Sequence, residues 1–506
     1  MMKQENQTTA RARYTALESE RKSYTDRAET SAKYTIPMAF PKATDTSSTA
    51  YETPYQSVGA RGVNNLVSKL MLALFPPNEP FFRLALGEEV SLEMESQPDQ
   101  KAEMEKTLAI LERKIVSEME STQIRTNMYE ALLQLVLAGN VLLFLPPHEG
   151  GMRLFRLNSY VVKRDGIGNV IEIVAVEKIA YGAMPEEAKR CITEADPKAD
   201  TDYEIYTHTY LEEDSYISYQ EINGIRINGS EQTYPRDKSP WIPLRLKKMD
   251  GESYGRSFID EYIGDLKSLE SLSKSIVEIS AISANIIHLV APNSMTKISE
   301  LAKAQSGDFI RGRADDITTL QLDKTRDLQI VHSTIQSIEG RLSYAFLLNS
   351  AVQRNAERVT AEEIRYVARE LEDTVGSIYS ILAQELQLPL IKRFMAQMQS
   401  QGSLPELPEG SMGVEPMVVT GIEALGRGHD LGKLDTFIRY AQVFPEAFQT
   451  RVKQGSILMQ IATALGINAS EVVLSDMEYQ QQQQMMQQQQ MAQNIAPQVV
   501  QGAMGQ

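Results

Sequence analysis

Residues 256–290 read RSFIDEYIGDLKSLESLSKSIVEISAISANIIHLV. Apolar side chains recur at Ile259, Tyr262, Leu266, Leu269, Leu272, Ile276, Ile279, Ile282, Ile286 and Leu289, always three or four residues apart. On a helix this spacing forms one stripe. It predicts a helix from Arg256 to Val290, roughly 50 Å long at 1.5 Å per residue. Pro292 ends it, because proline lacks the N–H and its ring clashes with the preceding turn. A second stripe, Leu328, Val331, Ile335, Ile338, Leu342 and Phe346, predicts a helix over Asp327–Asn349. Both are far longer than the ordinary helix of about 11–12 residues. Two such helices flanking residues 291–326 hold that insert away from the rest of the chain.

Upstream, residues 8–34 are charge-mixed with a helical pattern, which reads as a solvated helix. A clear amphipathic helix follows over Ser57–Phe75 and stops at Pro76-Pro77. Residues 99–120 and 124–138 predict two more helices. The period then changes to two. Strands are expected at 141–145, 152–157, 160–163, 170–176, 203–210, 216–221, 225–227 and 241–246, with turns at Asp165–Asn169 and Asn223-Gly224. Residues 1–255 therefore read as α+β, helices first and then an antiparallel sheet. In the insert, a short helix is expected near 297–304 and strands at 308–311 and 317–322. After Asn349 the polar stretch SAVQRNAERV (350–359) breaks the pattern. Thr360 with Glu363 forms a capping box that opens another long helix, which Pro389 should kink or break. A Pro/Gly-rich linker over 402–416, a short strand at Val418-Val419 and helices over 430–479 follow. Residues 480–506 are Gln/Met-rich low complexity, expected to be disordered.

The chain has 506 residues, 42% hydrophobic and 23% charged, ordinary values for a globular protein. Its formal net charge is -16. Proteins that grip duplex DNA over a large surface are usually basic, so that class is disfavoured. With Cys191 as the single cysteine, an intramolecular disulfide and a multi-cysteine zinc site are excluded. No run is long and apolar enough to predict a membrane span, and Met1–Ala10 lacks the apolar core of a secretory signal.

Motifs for chemistry are weak. Gly251-Glu252-Ser253-Tyr254-Gly255 matches G-x-S-x-G between a strand and a helix, which raises a serine hydrolase using Ser253. The antiparallel β pattern before it, and the lack of an HGGG-type segment, argue for a strand-to-helix turn instead. Gly428–Lys433 (GHDLGK) resembles a phosphate loop, but Arg427 stands where Walker A requires glycine and Leu434 where it requires Ser or Thr. The histidines form no metal-binding spacing. No cofactor and no metal are expected.

Three features outside catalysis stand out. The insert carries Lys297, Lys303, Arg311 and Arg313 among acidic residues, a candidate docking surface. The loop after the second helix offers Gln353, Arg354, Asn355 and Arg358 for contact with a polyanion. The first long helix has a face of small residues, Ser268, Ser271, Ser275 and Ala284, against which another helix could pack closely.

Long stretches now point to a family. YQSVGARGVNNLVSKLMLALFP (55–76), LAGNVLLFLP (137–146), DGESYGRSFIDEYIGDLKSLESL (250–272), AKAQSGDFIRGRADDITTLQL (302–322) and 342–390 resemble the portal, or head-to-tail connector, proteins of podovirus-type short-tailed phages. The resemblance runs over roughly 10–475. It implies a dodecameric ring with a central channel for double-stranded DNA at one capsid vertex, assembled in the host cytoplasm. It also implies regions: wing (1–255), stem (256–290 and 327–349), clip (291–326), tunnel loop (350–360), wing return (361–425) and crown (426–479). The implied partners are other copies of the chain, the terminase large subunit, the tail adaptor and tail proteins, and the major capsid and scaffolding proteins. No membrane is implied. The terminase would hydrolyse ATP, consistent with the missing Walker A. An acidic channel would let DNA slide, because tight phosphate binding rests on basic contacts. The alternatives are a helical scaffold or inner-virion protein without a channel and, remotely, the Ser253 hydrolase.

Overall fold

The computed structural model describes residues 9–76 apart from 43 and 47, 81–85, 98–147 apart from 123, 151–284 apart from 195 and 196, 287–320 apart from 295, 325–348, 378–402, 417–420 and 437–441, with single residues at 371, 443, 455, 457, 458, 461 and 485. Residues up to Thr420 form one compact unit and Gly421–Gln506 a second.

Helix α1 (Ala10–Lys33) starts at Thr9, whose side chain accepts from the Ala12 N–H. The helix is present and one face is solvated as expected, but the opposite face is not. Tyr14, Leu17, Arg21, Ala28 and Ala32 are buried. Polar residues can line this buried face because they bond to one another: Arg21 donates to the Tyr14 hydroxyl (2.7 Å) and the Tyr160 carbonyl (2.8 Å). Long side chains bury their stems when their heads find partners. Helix α2 (Val58–Leu74) is amphipathic as expected. Strand β1 (Phe82–Ala85) follows, then α3 (Pro98–Ser121) and α4 (Ile124–Ala138).

Two antiparallel sheets replace the single sheet expected. The smaller has β2 (Asn140–Phe144) between β3 (Arg153–Arg156) and β10 (Trp241–Arg245). The larger orders β4 (Tyr160–Arg164), β5 (Val170–Ala180), β6 (Asp202–Glu212), β7 (Ser215–Ile222) and β8 (Ile225–Arg226). In it β9 (Gln232–Pro235), unforeseen in the sequence, pairs with β7. A core of Ala28, Leu137, Leu142, Phe155, Tyr160, Trp241 and Tyr254 joins α1, α4 and both sheets. Trp241 lies 4.3 Å from Phe144 between ring centroids.

Gly139 turns α4 into β2 at φ +74, and a Cβ there would lie 2.4 Å from the Arg256 carbonyl carbon. Beside it the Asn140 side chain both donates to Gly255 O and accepts from Gly255 N, each at 2.7 Å. The segment leading into the long hairpin is thus stitched to the start of β2.

The first long helix is shorter than its stripe. A 3-10 turn covers Ile259–Glu261, α5 spans Ile263–Ala284, and β11 (Ile287–Val290) is a strand. β11 pairs antiparallel with β12 (Ile317–Leu320), with Ile287 opposite Leu320. The run from Ile286 to Val290 is apolar and rich in β-branched residues. Such a run fits helix or strand equally, and a partner strand decides it. Of the insert's other expected elements, the helix contracts to Ile298–Leu301 and 308–311 is not a strand. Helix α6 (Thr325–Ala345) returns.

The helix expected from Thr360 lies outside the described residues until its later part. There Ile378–Leu382 is helical, Ala383–Gln387 is a π-turn, and α7 (Leu388–Ser400) continues with Pro389 in its first turn. The proline removes one N–H and presses on the carbonyl four residues back, and the wider π-turn there relieves that contact. Strand β13 (Met417–Thr420) pairs antiparallel with β1. The helices expected over 430–479 and the Gln/Met-rich tail lie almost wholly outside the described residues.

Candidate functional site: the two-helix hairpin and its tip

At its base the hairpin of α5 and α6 is core. Leu266, Leu269, Leu342 and Phe346 are fully buried, with Ile335 and Ile338 nearly so. Phe346 meets Phe258 edge-on at 5.6 Å and faces Gly62 of α2, where a Cβ would lie 2.4 Å from its ring. Glu270 of α5 accepts the backbone N–H groups of Tyr55 and Gln56, fixing the start of α2 against the hairpin. Across the helix pair, Arg341 donates to both oxygens of Asp265 at 2.8 and 3.2 Å.

Farther out the same stripe loses its cover. Leu272, Ile276 and Ile279 are half-buried, and Val277 and Ile282 are exposed. On α6 the stripe residues Leu328 and Val331 are half-buried, and Ile330 beside the stripe is 65% exposed. Ser268, Ser271 and Ser275 lie on one side of α5, three and four residues apart. Ser268 donates to the Gly264 carbonyl and Ser275 to the Ser271 carbonyl, both at 2.9 Å. With its hydroxyls turned back on its own helix, this face is narrow and makes few polar demands on a neighbour. Ala284 is the last residue of α5.

The tip is organised by Asp316. It accepts from Thr296 (2.8 Å) and Ser294 (3.2 Å), and its carbonyl accepts from Ala291 N (2.9 Å). Lys297, Lys303, Arg311 and Arg313 are all exposed around this knot. Lys297 pairs with Glu300 at 3.1 Å, and Asp308 caps Gln305 N at 2.7 Å. Both signs of charge alternate here, so the tip is not a cationic patch. Sequence reading missed its apolar character: Ile298, Leu301 and Leu289 are exposed, and Phe309 stands 105% exposed. Ile298 and Leu301 at i, i+3 were the available signal. Gln353, Arg354, Asn355 and Arg358 lie outside the described residues.

Ser253 is 4% exposed. Its turn is held by two arginines, the half-buried Arg164 and the buried Arg245. Arg164 donates to the carbonyls of Ser253, Gly168 and Pro243, and Arg245 to that of Glu252. Burial, reinforced by the charge of Arg245, pushes the Arg164 pKa down to about 10. Gly251 needs its φ of +72, and at Gly255 a Cβ would lie 2.8 Å from that of Arg245. Turn geometry therefore accounts for both glycines of the G-x-S-x-G match. The two histidines with described side chains are engaged elsewhere. His332 lies 3.1 Å from Gln336. His208 lies 2.8 Å from Glu172 and 3.0 Å from the Tyr219 hydroxyl. Among the described residues no group of His, Cys, Asp and Glu could hold a metal ion, and no helix is long and apolar enough to cross a membrane.

The family profile described as bacteriophage head to tail connecting protein matches residues 7–473. The portal protein of Escherichia phage T7 is 47% identical over 506 residues, covering 98% of this chain and 94% of the relative. That of Enterobacteria phage T3 is 48% identical over 479 residues, covering 93% and 89%. That of Enterobacteria phage SP6 is 32% identical over 447 residues, covering 87% and 84%. With a profile spanning nearly the whole chain and relatives matched along almost their full lengths, the chain belongs to the bacteriophage head-to-tail connecting proteins, the portal proteins of short-tailed phages.

Proposed function

We propose that this portal protein assembles as a ring of twelve copies around a central channel at one vertex of the capsid, through which the genome is packaged and later ejected. The observation that carries this reading is the hairpin's change of character along its length. Its stripe is fully buried at Leu266 and Leu342, half-buried at Ile276 and Val331, and exposed at Ile282. Contiguous apolar surface of this kind marks a contact face, and copies side by side in a ring would cover it. The small-residue face of Ser268, Ser271, Ser275 and Ala284 suits the same close packing.

In this arrangement α5 and α6 form the stem and residues 291–326 the clip. The clip docks the terminase large subunit during packaging and afterwards the tail adaptor and tail proteins. Its apolar residues, Phe309 above all, provide the anchor, and Lys297, Lys303, Arg311 and Arg313 the rim, because buried aromatic anchors dominate interface energies. The wing, residues 1–255 with 361–425, faces major capsid and scaffolding proteins, and 426–479 form the crown. Assembly takes place in the host cytoplasm. The net charge of -16 suits a channel that lets DNA slide.

Residues 350–360 form the loop nearest the DNA, with Arg354 and Arg358 touching phosphates. Arg354→Ala together with Arg358→Ala should leave rings intact and lower the DNA held by filled particles. Unchanged DNA content in purified particles would remove these arginines from the account.

A further inference from the structure

Helix α6 ends in a way that its own residues do not favour. Leu348 N donates to Ser343 O (2.8 Å) and Leu347 N to Tyr344 O (3.1 Å). This pair of bonds is the Schellman closure, which needs a left-handed residue next to the end. That residue is Leu347, at φ +56, where glycine is the usual choice because it carries no Cβ. The closure is nevertheless buried and clamped from outside. Asn65 Nδ2 donates to the carbonyls of Phe346 (2.9 Å) and Leu347 (3.0 Å), and Lys69 Nζ donates to Leu347 O (3.2 Å). Lys69 is 5% exposed, and its charge faces the negative end of the helix dipole. About one helical turn earlier on the same face, Gly62 leaves the notch that the Phe346 ring fills.

We infer that Gly62, Asn65 and Lys69, a single stripe on α2, form a seat that sets the direction in which the chain leaves the second long helix. Asn65 and Lys69 act as positioning residues for the segment after Leu348. The glycine admits the aromatic ring, the amide holds the carbonyls of Phe346 and Leu347, and the ammonium holds the carbonyl of the strained residue. The seat fixes the heading of the chain at Leu347 and Leu348. The consequence for DNA rests on the proposed function, in which residues 350–360 face the channel.

Hydrogen exchange read by mass spectrometry on the assembled full-length protein tests the seat. Asn65→Ala, which removes two hydrogen bonds, and Lys69→Met, which removes one, should each speed exchange in the peptide spanning 343–348 by about tenfold or more. The first half of α6 should not change. Adding Leu347→Gly to Asn65→Ala should slow that exchange again, since glycine holds the left-handed turn unaided. Unchanged exchange in the single variants, or no slowing by the glycine, would overturn the seat. DNA content of particles carrying Asn65→Ala is the second readout, and it should fall. Faster exchange with undiminished DNA would uphold the seat and refute the DNA-facing role of residues 350–360.

Discussion

Glu172 sits where three elements meet. Arg13 of α1 donates to both its oxygens (3.0 and 2.6 Å), and His208 of β6 approaches it at 2.8 Å. Burial alone would raise its pKa, but the bonds from Arg13 and His208 outweigh burial and hold it at about 2. A carboxyl whose folded pKa lies below its free value stabilises the fold fully above that free value. The contribution then fades as pH falls toward the folded value. Thermal melting should therefore show a loss of stability between about pH 4.5 and pH 2, on the order of 3 kcal/mol at most. Glu172→Gln should lower the melting temperature at neutral pH and flatten that acid slope. An unaltered slope would mean that Glu172 does not tie α1 to the sheet. Gly139 makes a second test. With φ +74 and backbone only 2.4 Å from any Cβ, Gly139→Ala should cost more than ~2 kcal/mol in denaturant unfolding. These partnerships were invisible in the sequence because they join residues far apart along the chain: Arg13 lies 159 positions and His208 36 positions from Glu172. The glycines of GESYG were legible as turn residues, and the turn is what they build.

At the scale of elements, periodicity revealed most helices to within a few residues. α2, α3, α4 and α6 all carry stripes or caps that need no distant partner. It failed where a partner decides the outcome. β11 is a strand because β12 lies alongside it, and α1 is buried because tyrosines and an arginine find bonds across the sheet. β1 exists only as the mate of β13. The hairpin stripe was visible in full, but its change from buried to exposed was not, since period carries no information about what covers a face. That change makes a prediction. Ile282→Asp and Ile330→Asp should alter the stability of the single chain by no more than about 0.5 kcal/mol, as exposed substitutions usually do. Both should abolish assembly in size-exclusion chromatography with light scattering. Leu342→Ala, at the buried end, should instead destabilise the chain by about 2–5 kcal/mol. Assembled Ile282→Asp protein would show that the outer hairpin is not a subunit contact.

Residues up to Thr420 form one compact unit in which placement of parts is the main feature. An α+β body grips the base of a two-helix arm, and the arm ends in an apolar, mixed-charge tip. Ser253, the chief catalytic candidate, is closed into a turn beneath Arg164 and Arg245. The family was legible early because long stretches, not short motifs, matched it. The proposed ring rests on what the resemblance implies, since a lone hairpin carries no statement of how many copies surround it. Electron microscopy of the purified full-length protein measures this most directly. The account predicts rings of twelve subunits with a central hole wide enough for a DNA duplex, about 20 Å or more across. Monomers or irregular aggregates across salt and concentration would contradict it.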